Sequence, residues 1–390
     1  MSKITREYAL TPNRVYQVTT DIGQGSLCIG LEGMDKKYYD VLIEPNQPVN
    51  WDTFNEYYTG SGEQNKHLYP YGNFPRWFIY YGNDISFIEW SKKRKIEGFD
   101  WCPQQNIEID FSNAQIHGLS IYAQYPTIIH SISAHSRRLY LKGDLNLFDI
   151  QHNASDDLSL SLSPALTKND EPYQIPFFSA FKTQKSLDIS GQIAHQAIDC
   201  RSLLAYEELE SLALSGNVIN LQALSQLKHL TSLQLRYIPD LSDLIDLTAF
   251  PKLESILLWN VEEQGAKRLK AHIKQHKNQL SHLDSHFSQL KKASWFVTEY
   301  QMPFSAWEGK NAKTAVKLYK NAVKSLKKLD DVEQIKAVIV EFVCAFNALE
   351  QIETTEREDI GTAVLQLIQV PNVIVDDEIA LQWFDEGRDY

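Results

Sequence analysis

Four clusters of residues could in principle act on a ligand or substrate. His272-x-x-x-His276 and His282-x-x-x-His286 each place two imidazoles one helical turn apart, with Asp284 close by, a spacing that chelates zinc on a helix face. Neither pair has the Glu that a zinc-peptidase helix needs after its first His, and Lys274 and Gln275 stand inside the first pair. They read as solvated polar helix ends, and no metal or cofactor is expected. Gly23-Gln24-Gly25-Ser26-Leu27-Cys28-Ile29-Gly30 superficially resembles a phosphate-cradling loop. Such a loop must open a helix whose N-terminus faces the anion; here the next residues read as a strand, so a hairpin turn is expected. Lys92-Lys93-Arg94-Lys95 reads as a solvated basic loop. Glu353, Glu356, Glu358 and Asp359 cluster at a helix start, where carboxylates favour the positive end of the helix dipole. No Ser/His/Asp or Cys/His arrangement is identifiable. An enzymatic reading therefore rests on a cleft in the first hundred residues lined by Asp52, Glu56 and His67.

Bulk composition narrows the classes further. A length of 390 residues suits two or three domains, and 43% apolar residues suffices for ordinary cores. Met1 to Glu7 holds no apolar signal region, and no run of about 18 apolar residues is long enough to span a membrane. Cys28, Cys102, Cys200 and Cys344 lie far apart, which reads as reduced thiols in a cytoplasm. The net charge of −12 opposes nonspecific nucleic-acid binding and suits a basic partner. It is unevenly spread: Gln264 to Asp330 has fourteen Lys/Arg against four Asp/Glu, whereas Glu350 to Tyr390 has two against eleven.

Three textures divide the chain. Residues 1–105 carry short alternating stretches, such as Arg14 to Thr20 and Tyr38 to Ile43, and the aromatic run Tyr69 to Tyr81. They are expected to form a β-rich or mixed module that caps the repeat region. Residues 106–280 carry that repeat, whose best unit is Leu209-x-x-Leu212-x-Leu214-x-x-Asn217-x-Ile219. Leu230-x-x-Leu233-x-Leu235 and Leu253-x-x-Ile256-x-Leu258 come next, with Leu212, Leu233 and Ile256 spaced by 21 and 23 residues. Weaker pairs are Leu119/Ile121, Leu139/Leu141, Leu158/Leu160 and Leu187/Ile189. In residues 281–390 the period turns helical: Ala312 to Leu326, Val332 to Leu349, Ile360 to Ile368 after the capping box Thr355-Glu356-Arg357-Glu358, and a last helix from Asp376 to Asp385.

Residues 106–276 resemble bacterial leucine-rich-repeat proteins. Trp295 to Pro303, Ala306 to Gly309, Phe346 to Leu349 and Glu353 to Ile360 look like the helical tail that such proteins carry. The resemblance implies an α/β leucine-rich-repeat solenoid with a β-rich N-terminal cap and a C-terminal helical bundle. It leaves function open, since fold does not fix function.

Positions between and just after the core leucines should face away from the core. There small residues (Ser211, Ala213, Ser215) give way to Gln234, Arg236 and Tyr237, then to Leu257, Trp259 and Asn260. Tyr, Trp and Arg dominate interface hot spots, so these residues, with Tyr122 and Tyr140, are the expected partner-binding surface. The expectation is a cytoplasmic protein–protein interaction module and, more narrowly, an immunity protein that neutralises a cognate, basic bacterial toxin. Nucleic acid and membrane are not expected partners.

Overall fold

Alternation of apolar and polar residues decides where the strands lie. In Ser211–Ser215 the two leucines are buried and the other three residues face outward, and the same pattern recurs in Ser232–Arg236 and Ser255–Trp259. The computed structural model describes residues 3–21, 24–55, 75–93, 96–155, 157–167, 171–192, 196–298, 303–304, 307, 309–350, 352, 354–370 and 373–389. It divides into two compact units, residues 1–293 and 294–390.

The first unit is built on one twelve-stranded sheet. Its strands are β1 Ser26–Leu31, β2 Val41–Ile43, β3 Trp77–Tyr81, β4 Ile96–Cys102, β5 Ile116–Ala123 and β6 Arg138–Gly143, then β7 Ser159–Pro164, β8 Ser186–Ser190, β9 Ser211–Ser215, β10 Ser232–Arg236, β11 Ser255–Trp259 and β12 Asp284–Ser288. They lie in sequence order from β12 to β3, ending β3-β1-β2, and all pairings are parallel. A separate antiparallel pair, Lys3–Thr11 with Arg14–Asp21, precedes it.

This α/β architecture corrects the expected leucine-rich-repeat solenoid, which the structure does not show. Residues 26–102 supply four strands to the same sheet as residues 116–288, so they are not a cap set apart from a repeat. Nor do the strands share one connection. Short parallel strands come after β4, β5 and β6 (Ile107–Ile109, Thr127–Ile129, Phe148–Ile150). Short 3-10 helices such as Cys200–Ala205, Leu221–Gln226 and Leu247–Ala249 serve later ones, and helices α1 Phe87–Lys93 and α2 Glu263–Gln275 come after β3 and β11. One strand lies two residues later than the leucine spacing predicts: Leu160 and Leu162, not Leu158 and Leu160, align with Leu139/Leu141 and Leu187/Ile189.

One hydrophobic core underlies the whole sheet, from Leu10 to Leu283. Inward rows run Leu27-Phe78-Phe99-Leu119-Leu139-Leu160-Leu187-Leu212-Leu233-Ile256, strand to strand in register. Much of the aromatic density of the first hundred residues is spent here. Trp51, Phe54, Phe78, Phe87, Trp90 and Phe99 are buried and in mutual ring contact, the closest pair being Phe87 and Phe99 at 4.1 Å. Such pairs add roughly 0.5–1.5 kcal/mol each beyond the area they bury.

The second unit has its own core. Helices α4 Gly309–Leu326, α5 Val332–Cys344, α6 Thr354–Leu367 and α7 Asp377–Gly387 cover the segments whose apolar residues recur at helical spacing; a short helix, α3 Ala293–Thr298, precedes them. Phe342, Val343, Phe346, Val364, Leu367 and Trp383 meet inside. Asp331 and Asp376 cap α5 and α7 through their side chains. Among the described residues, no helix is long and apolar enough to cross a membrane.

Candidate functional site

The outward face of the main sheet collects the residues that the strand pattern singles out. Register places Gln234 beside Leu257 and Arg236 beside Trp259. Tyr237 stands at the exit of β10, its N–H donating to the Trp259 carbonyl at 3.0 Å. The Tyr237 and Trp259 rings meet edge to face with centroids 4.9 Å apart. Gln234, Tyr237, Leu257 and Trp259 are half-buried and Arg236 is exposed. The Arg236 guanidinium donates from Nη2 to Gln234 Oε1 at 3.2 Å.

Asn260 is different. Its side chain is 1% exposed, and its Oδ1 has no hydrogen-bond partner. Its backbone is left-handed (φ 54°), the conformation also held by Tyr237 (φ 56°), Gly216 (φ 92°) and Gln289 (φ 54°) at the equivalent strand exits. Asn tolerates that region better than most residues. It shapes the turn and is not part of the surface.

Tyr140 and Tyr122 lie on β6 and β5, on the same face. Four strand spacings, about 19 Å, separate β6 from β10. Between them β7, β8 and β9 present only small residues and one carboxylate: Ser159, Ser161, Ser163, Ser186, Asp188, Ser190, Ser211, Ala213 and Ser215. The face is therefore a low floor between two bulky margins. Desolvation pushes the Asp188 carboxyl above its ordinary range, with Arg236 pulling it back. No cation lies within ion-pairing distance of Asp188 among the described residues. Asp100 on β4 is raised for the same reason, opposed by Lys142 at 3.7 Å.

The first margin holds residues that sequence reasoning missed. Trp77, 40% exposed, lies over Gly98, where an added Cβ would stand 2.0 Å from the indole. Tyr39 and Tyr81 meet edge to face at 5.2 Å, near Asp100. The available signal was an alternation, Trp77-Phe78-Ile79-Tyr80-Tyr81, whose odd positions face outward.

The other candidates are taken up structurally. His272 and His276 do come together, with ring centroids 4.5 Å apart. However, His272 Nε2 accepts the Leu247 N–H at 3.3 Å, so the lone pair that a metal would need is engaged. His282 and His286 are not one helical turn apart, because His286 lies in strand β12. No group of three or more metal-ligating side chains occurs among the described residues. Ser26–Leu31 is a strand as expected, but it pairs parallel with β2 and β3 and forms no hairpin; Gly23 lies outside the described residues.

Asp52 pairs with Lys93 at 2.7 Å on the surface; Glu56 and His67, with Arg94, Lys95 and Glu353, lie outside the described residues. Helix α6 begins at Thr354, one residue before the expected cap at Thr355. A polar cleft of about 560 Å³ opens near the starts of β7 and β8, lined by Asp157, Gln184 and Lys185 among others. Its one amine, Lys185, is held by Glu210 at 2.9 Å, and Gln184 Nε2 is tied to the Ser186 carbonyl at 2.7 Å. These are structural contacts with no acid–base pair among them.

Fold and face together define an α/β protein with one continuous parallel sheet and an unequal outward surface. Compared with known proteins, the chain matches no family model and no curated protein. The resemblance to leucine-rich-repeat proteins thus has no match behind it.

Proposed function

We propose that the chain is a protein–protein interaction module that uses the outward face of its sheet. The observation that carries this reading is the placement of Tyr237, Leu257 and Trp259 side by side, partly exposed, on strands whose opposite face already fills the core. An outward Leu beside an outward Trp adds little to a core that the opposite face already fills, whereas interface hot spots are enriched in Trp, Tyr and Arg. Tyr140 and Tyr122 extend the contact across the low floor. Asp188 and Asp100, already desolvated, gain from a cation supplied by the partner, which suits a basic protein and agrees with the net charge of −12. The narrower reading is an immunity protein against a basic toxin, acting in the cytoplasm.

The test is affinity purification of the full chain from cells that natively express it, beside the variant L257R/W259A. A basic protein that is recovered with the wild type, lost with the variant and bound directly when purified is the expected result. Recovery of chaperones alone, or of the same set by both forms, overturns the reading.

A further inference from the structure

Helix α4 carries a charge pattern that the sheet does not explain. Lys310, Lys313, Lys317, Lys320, Lys324 and Lys327 succeed one another at alternating steps of three and four, and Lys328 adds a seventh. At about 100° per residue, the five inside the helix fall within an arc of about 80° that no other residue of α4 shares, and Lys327 and Lys328 follow in the turn at its end. The opposite side of the helix buries Ala315, Tyr319, Ala322 and Leu326. All seven lysines are exposed. Among the described residues, Lys310, Lys313, Lys317, Lys324, Lys327 and Lys328 have no carboxylate within ion-pairing distance, in a unit that carries seventeen Asp/Glu against ten Lys/Arg.

Like charges at these spacings weaken a helix by about 0.2–0.5 kcal/mol per pair. The pairs Lys310/Lys313, Lys313/Lys317 and Lys324/Lys327 are thus a standing cost that an external anion would remove. We infer that this stripe, about 26 Å long, binds the phosphodiester backbone of a nucleic acid without reading its sequence.

Three features select that partner. Lys is a compact point charge suited to phosphate, while base reading calls for the forks of Arg, Asn or Gln. Protein interface cores are depleted of Lys, and this arc holds no apolar or aromatic residue to anchor one. On one side the arc is flanked by Thr314, Asn321 and Ser325, which offer nothing to insert into a bilayer. On the other side, Val316 and Val323 pack against the unit's own core. The whole-chain charge points the other way, but charges farther than about 10 Å are largely screened, so the local stripe sets the interaction. The inference concerns the second unit alone and stands or falls independently of the sheet face.

The experiment is fluorescence anisotropy of the full chain with a mixed-sequence oligonucleotide of roughly 20 nucleotides, single-stranded and as duplex, between about 50 and 200 mM salt. The comparison is K313Q/K317Q/K324Q/K327Q. Gln has nearly the helix propensity of Lys, and removing like charges leaves the melting temperature equal or higher. Binding to at least one oligonucleotide is expected, falling steeply with salt, weakened about tenfold or more in the variant and with a salt slope shallower by about one per lysine removed. K313Q/K317Q alone should give half the change in slope. Absence of binding at the lowest salt, equal affinity of wild type and variant, or tighter binding to poly-glutamate or to vesicles of anionic phospholipid overturns the inference.

Discussion

Tyr237 and Trp259 touch edge to face at 4.9 Å, and Tyr237 adopts a left-handed backbone (φ 56°) at that point. The same place in the neighbouring strand exits is held by Gly216 and Asn260, residues that suit positive φ. A bulky side chain there costs about 1–2 kcal/mol. The ring contact offsets part of this, and the remainder is local strain at the surface we propose for binding.

Replacing Tyr237 by Gly should therefore change folding stability by no more than about 2 kcal/mol, since relief of the strain offsets much of the loss of the ring contact and of the side-chain hydrogen bond with Asn260. Partner capture should fall sharply. Thermal denaturation beside the affinity experiment measures both, and a stability loss above about 2 kcal/mol would show that Tyr237 serves the fold instead.

Gly216 marks a tight strand exit. A Cβ there would lie 2.4 Å from the Gly191 carbonyl carbon, on a backbone at φ 92°. Gly216→Ala should destabilise by about 2–3 kcal/mol. Gly33→Ala has a similar φ, 97°, and open space around it, so it should cost only about 1 kcal/mol of backbone strain. Denaturant midpoints of the two variants separate clash from strain; equal values would refute the assignment.

Asp199 sits 1% exposed behind the sheet. Burial by itself would raise its pKa, but hydrogen bonds from the Arg201 side chain and N–H, Gln174 and Asn220 outweigh burial and hold it well below the usual carboxylate range. A depressed folded pKa gives stability that is complete above the unfolded value of about 3.9 and is lost as pH falls toward the folded one. Asp199→Asn should destabilise by about 2 kcal/mol at neutral pH and flatten the loss seen in the wild type below about pH 4. Melting temperatures from pH 7 down to pH 2 would detect it, and an unchanged acid limb would contradict the network's role.

Thiol reactivity should be uneven. Burial pushes the Cys28 thiol up to about 12 and Cys102 to about 11, and the fully buried Cys200 higher still. The thiolate is the nucleophile, so at pH 8 a maleimide should label the exposed Cys344 first and leave the other three until the chain unfolds. Mass spectrometry of briefly labelled native protein counts the adducts; early modification of Cys102 would mean that the first strands of the sheet open readily.

Much of the secondary structure was legible because its signal is local. Alternation at Leu212/Leu214, Leu233/Leu235 and Ile256/Leu258 fixes those strands and their outward neighbours. The 3.6-residue period does the same for α4, α5 and α6. Where the interval between strands lengthened, as at Leu160, spacing put the strand two residues early, because loop length carries no information about register.

The order of residues alone dictates which segments extend, which coil and which side chains each strand turns to either face. It took the folded chain to settle that residues 26–102 extend the same sheet as β5 to β12, so that Trp51, Phe78, Phe87 and Phe99 are core and not a separate aromatic surface. Folding also turns Asn260 inward and commits the His272 lone pair to Leu247. Local periodicity follows from backbone geometry and needs no partner, whereas pairing, burial and hydrogen-bond satisfaction depend on residues far apart in the chain, which one-dimensional patterning leaves unspecified.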